Sequence, residues 1–197
     1  MNDLLHIYDY FARLLAYPEP DLAETAKQCR DALAAVDTSM ASCIMQFREQ
    51  VNNQRFEAVE ELYTRTFDMG SARTLEIGWH LYGENYDRGL FLVWMRQQLK
   101  EAGIEESQGL PDHISHVLPI LGRMKREQAD EFSGICVLPA MNVVLDAFKD
   151  TDNPYRNLVD ALCAFLTFRH GPPVETDTRV SLSVLKQHEE LLAREGL

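Results

Sequence analysis

The stretch "LPDHISH", residues 110–116, places Asp112, His113 and His116 within five positions. On a helix Asp112 and His116 stand four apart and His113 and His116 three apart, so the three side chains can share one face. A carboxylate beside two imidazoles can hold a divalent metal or move protons as a general acid and base. A metal site needs three or four converging ligands, each oriented by further hydrogen bonds. Here a fourth ligand would have to be His80, from a separate aromatic stretch. The metal-hydrolase helix signature runs His-Asp, whereas this segment runs Asp-His, and H-E-x-x-H is absent. A helical metal-dependent phosphohydrolase using His80, Asp112, His113 and His116 is therefore the enzyme-class alternative. The plainer expectation makes Asp112 an N-cap after Pro111, accepting from the backbone N–H of residue 114 or 115. That leaves His113 without a task.

Nucleophilic catalysis has less support. The sequence contains no G-x-S-x-G, no cysteine in a polar helix-start setting, and neither G-x-x-x-x-G-K-S/T nor G-x-G-x-x-G. The expectation is a protein that is not an enzyme, with no metal and no cofactor.

The chain has 197 residues, the size of one domain, enough to bury roughly 70% of its unfolded surface without a disulfide or metal staple. Its 46% hydrophobic and 25% charged content is that of a soluble globular protein. No window approaches the ~20 apolar residues of a membrane span. The N-terminus is acidic where a secretory signal would be basic, so direct membrane insertion is not expected and a cytoplasmic location is. With 19 Lys+Arg against 31 Asp+Glu the net charge is −12, which argues against nucleic acid and is compatible with a basic peptide. The cysteines, Cys29, Cys43, Cys136 and Cys163, sit singly in apolar helical patterns and read as small buried hydrophobes.

The elements that must position these residues read as helices, and the fold class is all-α, a single compact multi-helix domain. Leu4, Tyr8, Phe11, Leu14 and Leu15 form the first stripe, stopped by "YPEP". A second helix starts at Pro20 and Asp21. A third is capped by Thr38 or Ser39 and carries Ile44, Met45, Phe47 and Val51. A fourth spans 56–70, turning Phe56, Val59, Leu62, Tyr63 and Phe67 inward and ending at Gly70. Residues 74–89, with glycines among aromatics, read as an ordered loop. Helices follow over 90–103, 112–128, 132–148 and 154–169, with Pro119 and Pro139 each kinking its helix or marking a first turn. Residues 1–172 form the helical domain; 173–197 add a polar connector and a C-terminal amphipathic segment.

Seven aromatics fall between positions 63 and 94: Tyr63, Phe67, Trp79, Tyr82, Tyr86, Phe91 and Trp94. Trp79 and Tyr82 lie near glycines and near Glu84, Asp87 and Asp112, a combination suited to an amphipathic basic segment. Trp94, in mid-helix, reads as core. The stretch "YTRTFDMGSARTLEIGWHLYGENYDRG", followed by a helix and "GLPDHI", resembles the NarJ family of molybdenum-enzyme assembly chaperones, related to the TorD and DmsD chaperones. The family's Y-x-x-L-F-D meets Tyr63, Thr66, Phe67 and Asp68, with Thr66 in place of Leu. Its H-G-E-x-x-D-R-G meets Tyr82, Gly83, Glu84, Asp87, Arg88 and Gly89, with Tyr82 in place of His. Its P-D-H-L/I is met by Pro111, Asp112, His113 and Ile114.

The resemblance implies an all-helical, non-catalytic, cytoplasmic chaperone for nitrate reductase or a close relative. Its partner would be the N-terminal leader, often twin-arginine, and apo form of the molybdenum-containing catalytic subunit, held competent for cofactor insertion. The implied peptide-binding residues are Tyr63, Phe67, Trp79, Tyr82, Glu84, Asp87, Arg88, Asp112 and His113. Monomer and homodimer both fit the sequence.

Overall fold

Ten α-helices run through the described residues, 4–106 and 109–174, of the computed structural model. Helix α1 (Leu5–Leu14) buries Tyr8, Phe11 and Leu14 of the expected stripe, with Leu15 buried just after it and Leu4 half-buried just before, and adds Ile7 to the core. Helices α2 (Leu22–Ala34) and α3 (Thr38–Asn52) pack on each other. The cap of α3 is Asp37, one or two residues before the expected Thr38 or Ser39. Its backbone is extended, and its carboxylate accepts from the N–H groups of Ser39 and Met40 at 2.7 and 3.1 Å. Ile44 and Phe47 of α3 are fully buried, while Met45 turns outward.

The fourth helix is shorter than the sequence suggested. Helix α4 (Phe56–Tyr63) passes into a π turn over Thr64–Asp68, closed by Met69 N–H donating to the Thr64 carbonyl. The Thr66 hydroxyl donates back to the Leu62 carbonyl at 2.6 Å and accepts from the Asn153 amide at 2.7 Å. The threonine that departs from the family pattern thus ties this turn to the start of α10. Residues 74–89, expected as a loop, contain α5 (Ile77–Tyr82). Gly83, at φ 59°, ends α5, and Asn85 caps α6 (Tyr86–Glu101) by accepting from Asp87 N–H.

The expected helix over 112–128 divides because Met124 is extended, giving α7 (Ile114–Arg123) and α8 (Arg126–Phe132). A second π turn, Ser133–Val137, leads into α9 (Leu138–Asp146), where Pro139 occupies the first turn. Pro119 stays inside α7. Helix α10 (Tyr155–His170) buries Tyr155, Leu158, Leu162, Phe165 and Leu166 and packs against α3, α8 and α9, while α1 packs against α7. Among the described residues no disulfide joins the cysteines, and no helix is long and apolar enough to cross a membrane. The C-terminal amphipathic segment and most of the connector before it lie outside the described residues.

Candidate functional site

One short backbone clasp organises the aromatic region. Ile77 N–H donates to the Asp112 carbonyl at 3.0 Å, and Ile114 N–H donates to the Leu75 carbonyl at 2.9 Å. These bonds make an isolated antiparallel bridge between Glu76 and His113, joining the start of α5 to the start of α7 across more than thirty residues of sequence. The Asp112 side chain reinforces the clasp from inside, where its Oδ2 accepts from Gly78 N–H at 3.1 Å. Gly78 is required by this approach: a Cβ there would stand 2.6 Å from that oxygen and 2.9 Å from the Phe91 ring.

Beside the clasp lies an open groove of about 550 Å³. Phe67, Trp79 and Leu110 give it apolar surface, Asp68 and Glu76 give it negative charge, and Arg88 gives it one cation. Met69, 76% exposed, and Leu110, 39% exposed, are large apolar side chains left to solvent at this groove. The π turn explains how Phe67 is buried while its neighbours Asp68 and Met69 face out.

Of the residues named from the sequence, Phe67, Trp79 and Arg88 line the groove directly. Tyr63 stands behind Phe67 in the core, ring to ring at 5.0 Å, with its hydroxyl donating to the Leu15 carbonyl. Tyr82 is half-buried against Phe91, at 5.5 Å between rings. Glu84 is exposed and Asp87 half-exposed at the α5–α6 junction, and neither lines the groove. Trp94 is core, against Phe91 and Phe132. Sequence reasoning passed over Met69, Glu76 and Leu110. Their signal was weak: a methionine before a helix-ending glycine, and a leucine before Pro111.

The expected capping role of Asp112 is corrected. The cap of α7 is His113, whose Nδ1 accepts from Ser115 N–H at 3.2 Å. Asp112 points the other way, fully buried, toward Gly78 and Arg88. Burial lifts its carboxyl from 3.8 to about 6, although the Arg88 guanidinium at 3.8 Å pulls in the opposite sense. Its Oδ1 and the Arg88 Nε are both buried without a hydrogen-bond partner, so the pair is close but incompletely joined. The Arg88 guanidinium also lies over the Trp79 ring, 5.4 Å from its centroid. Asp112, Arg88 and Trp79 therefore form a stack running from the core to the groove.

The histidines do not assemble as metal ligands. His80 Nε2 bonds the Thr74 carbonyl, His116 Nδ1 bonds the Leu110 carbonyl, and His113 Nδ1 meets the Ser115 hydroxyl. His113 is pushed down to about 4, first by burial and then by His116, so it is neutral at physiological pH. Among the described residues no three His, Cys, Asp or Glu side chains converge as a metal-binding group. Imidazoles already engaged with their own chain suit loop anchoring better than coordination.

The family described as nitrate reductase delta subunit matches residues 20–168. Among curated proteins the chain is similar to the nitrate reductase molybdenum cofactor assembly chaperone NarJ of Escherichia coli K12. The identity is 26% over 156 residues, covering 77% of this chain and 65% of that protein. The protein of the same name from Escherichia coli O157:H7 matches with the same figures. The chain thus spans 65% of the length of these relatives.

Proposed function

The chain belongs to the nitrate reductase delta subunit family, and on that premise we propose that it is a cytoplasmic chaperone in the assembly of a molybdenum enzyme. Its client is the catalytic subunit of nitrate reductase or a close relative. It binds the N-terminal leader and apo form of that subunit and holds it competent for cofactor insertion. The observation that carries this reading is the open groove at the α5–α7 clasp. There Trp79, Met69 and Leu110 offer apolar area over a floor formed by the buried Phe67, and Asp68 and Glu76 offer negative charge. Aromatic side chains bury ~150–250 Å² each, enough to make Trp79 a dominant anchor. Acidic groups at an apolar groove favour the basic end of an amphipathic leader.

Selective binding is sufficient as a mechanism. A chaperone that binds only the unfinished client biases the population by RT ln(1 + [L]/Kd), about 2.7 kcal/mol at a hundredfold excess over Kd. Release follows once the cofactor-loaded form binds less well. The sequence carries no nucleotide-binding motif that would drive a cycle. The phosphohydrolase alternative is not favoured, since His80, His113 and His116 are each held by neighbouring groups of their own segment.

Calorimetric titration with the client's N-terminal peptide tests the reading. Saturable binding by the parent protein, weakened by Trp79→Ala, is expected. Failure of the parent to bind either the peptide or the apo subunit would overturn it.

A further inference from the structure

We infer that a second cavity, walled by α1, α7, α8 and α10, is a binding site for a small oxyanion of about phosphate size. The cavity measures about 210 Å³ and shares no lining residue with the groove. Leu4, Leu5, Leu121 and Met124 supply apolar walls, while Tyr8, Arg126, Arg169 and His170 bring the polar groups.

These polar groups are built as a network. The Tyr8 hydroxyl donates to His170 Nε2 at 2.6 Å, and His170 Nδ1 donates to Asp130 Oδ1 at 2.7 Å. Arg126 Nε binds the other Asp130 oxygen at 2.7 Å, and a terminal nitrogen of Arg126 donates to the Arg169 carbonyl at 2.6 Å. Gly122 lets α1 close against α7 here, because a Cβ at that position would meet the Tyr8 ring at 3.1 Å. The network fixes Asp130, His170 and Arg126 in place.

Arg169 is the member held least completely, its guanidinium meeting the Tyr8 hydroxyl. Its Nε is buried without a hydrogen-bond partner, and among the described residues no carboxylate pairs with its guanidinium. Two guanidinium groups thus border the cavity with a single carboxylate, Asp130, between them, already shared by Arg126 and His170. In a chain of net charge −12 this is a local excess of positive charge. A buried guanidinium nitrogen without an acceptor is costly, and an oxyanion offers charge-assisted acceptors that match the planar fork of donors. The neutral His170 imidazole and the Tyr8 hydroxyl add no competing negative charge. The apolar walls of Leu4, Leu5 and Leu121 leave the cavity's polar contacts to these side chains.

Inorganic phosphate, titrated calorimetrically into the full-length protein at constant ionic strength set with chloride, is the probe. Saturable binding is expected, with a rise in melting temperature that chloride alone does not reproduce. Arg169→Gln should weaken phosphate binding about tenfold or more, as loss of a charge-assisted bond implies. It should leave binding of the client peptide unchanged. Leu5→Trp, which fills the cavity while keeping both arginines, should also abolish phosphate binding and serves if Arg169→Gln does not fold. No saturable binding by the parent, an equal response to chloride, or unaltered phosphate binding in either folded variant would overturn the assignment.

Discussion

Asp112→Asn should remove a pH-dependent loss of stability that the parent protein suffers as its buried carboxyl ionises. Asp112 has no exposed surface, and burial raises it from 3.8 to about 6 in the folded chain. An acid raised in this way holds its proton more tightly folded than unfolded. Its contribution to stability is complete below 3.8, falls as pH rises through the interval, and is fully lost above about 6. The gap between 3.8 and about 6 corresponds to about 3 kcal/mol. Asparagine keeps an oxygen for Gly78 N–H but cannot ionise, and Arg88, whose side chain is 20% exposed, can turn to solvent. Denaturant unfolding of both proteins between about pH 4 and about pH 7 isolates the effect as the difference between them, because other titrations are common to both. The difference should shift by about 3 kcal/mol in favour of the variant across that window. A difference that stays flat with pH would refute the claim that an ionised Asp112 is poorly compensated by Arg88.

Three further outcomes follow from the packing. Trp79→Ala, at a half-buried position, should weaken binding of the client peptide by about 2 kcal/mol with little effect on melting, whereas Trp94→Ala should lower folding stability by about 3–5 kcal/mol and spare the groove; paired melts and titrations compare them. Gly78→Ala should destabilise by about 1–3 kcal/mol in urea unfolding, since its Cβ would press on Asp112 and Phe91, both fully buried. Asp37→Ala should cost about 1 kcal/mol of stability in the same assay, because two α3 donors lose their acceptor.

Much of the helical pattern was legible because burial follows the 3.6-residue period. Tyr8, Phe11 and Leu14 of α1 and Val59, Leu62 and Tyr63 of α4 are examples, while Leu4 and Phe56, expected inward, are only half-buried and Met45 faces out beside a buried Ile44. The boundaries were less legible. The cap of α3 depends on which of three adjacent polar residues is extended, and the break after α7 depends on Met124, whose side chain carries no stop signal. The π turn after α4 is invisible to a 3.6-residue pattern, yet it sets Phe67 inward and Met69 outward. The site was legible as a region and not as a list. The aromatic and glycine pattern pointed to Trp79, and the family resemblance to Arg88. Whether Tyr63 faces the core or the groove, and whether Asp112 caps its own helix or braces another, depend on contacts across the chain. The same holds for Asp130 with His170, forty residues apart, which no local spacing announces.

The central claim is that the α5–α7 groove receives the client's N-terminal segment, and chemical-shift mapping on isotope-labelled protein tests it most directly. During titration with the client's N-terminal peptide, perturbations should concentrate at the Trp79 indole, Met69, Arg88 and Leu110, and reach Asp112 through its contact with Arg88. Peptide binding that perturbs the α2–α3 face and leaves those residues unmoved would contradict it.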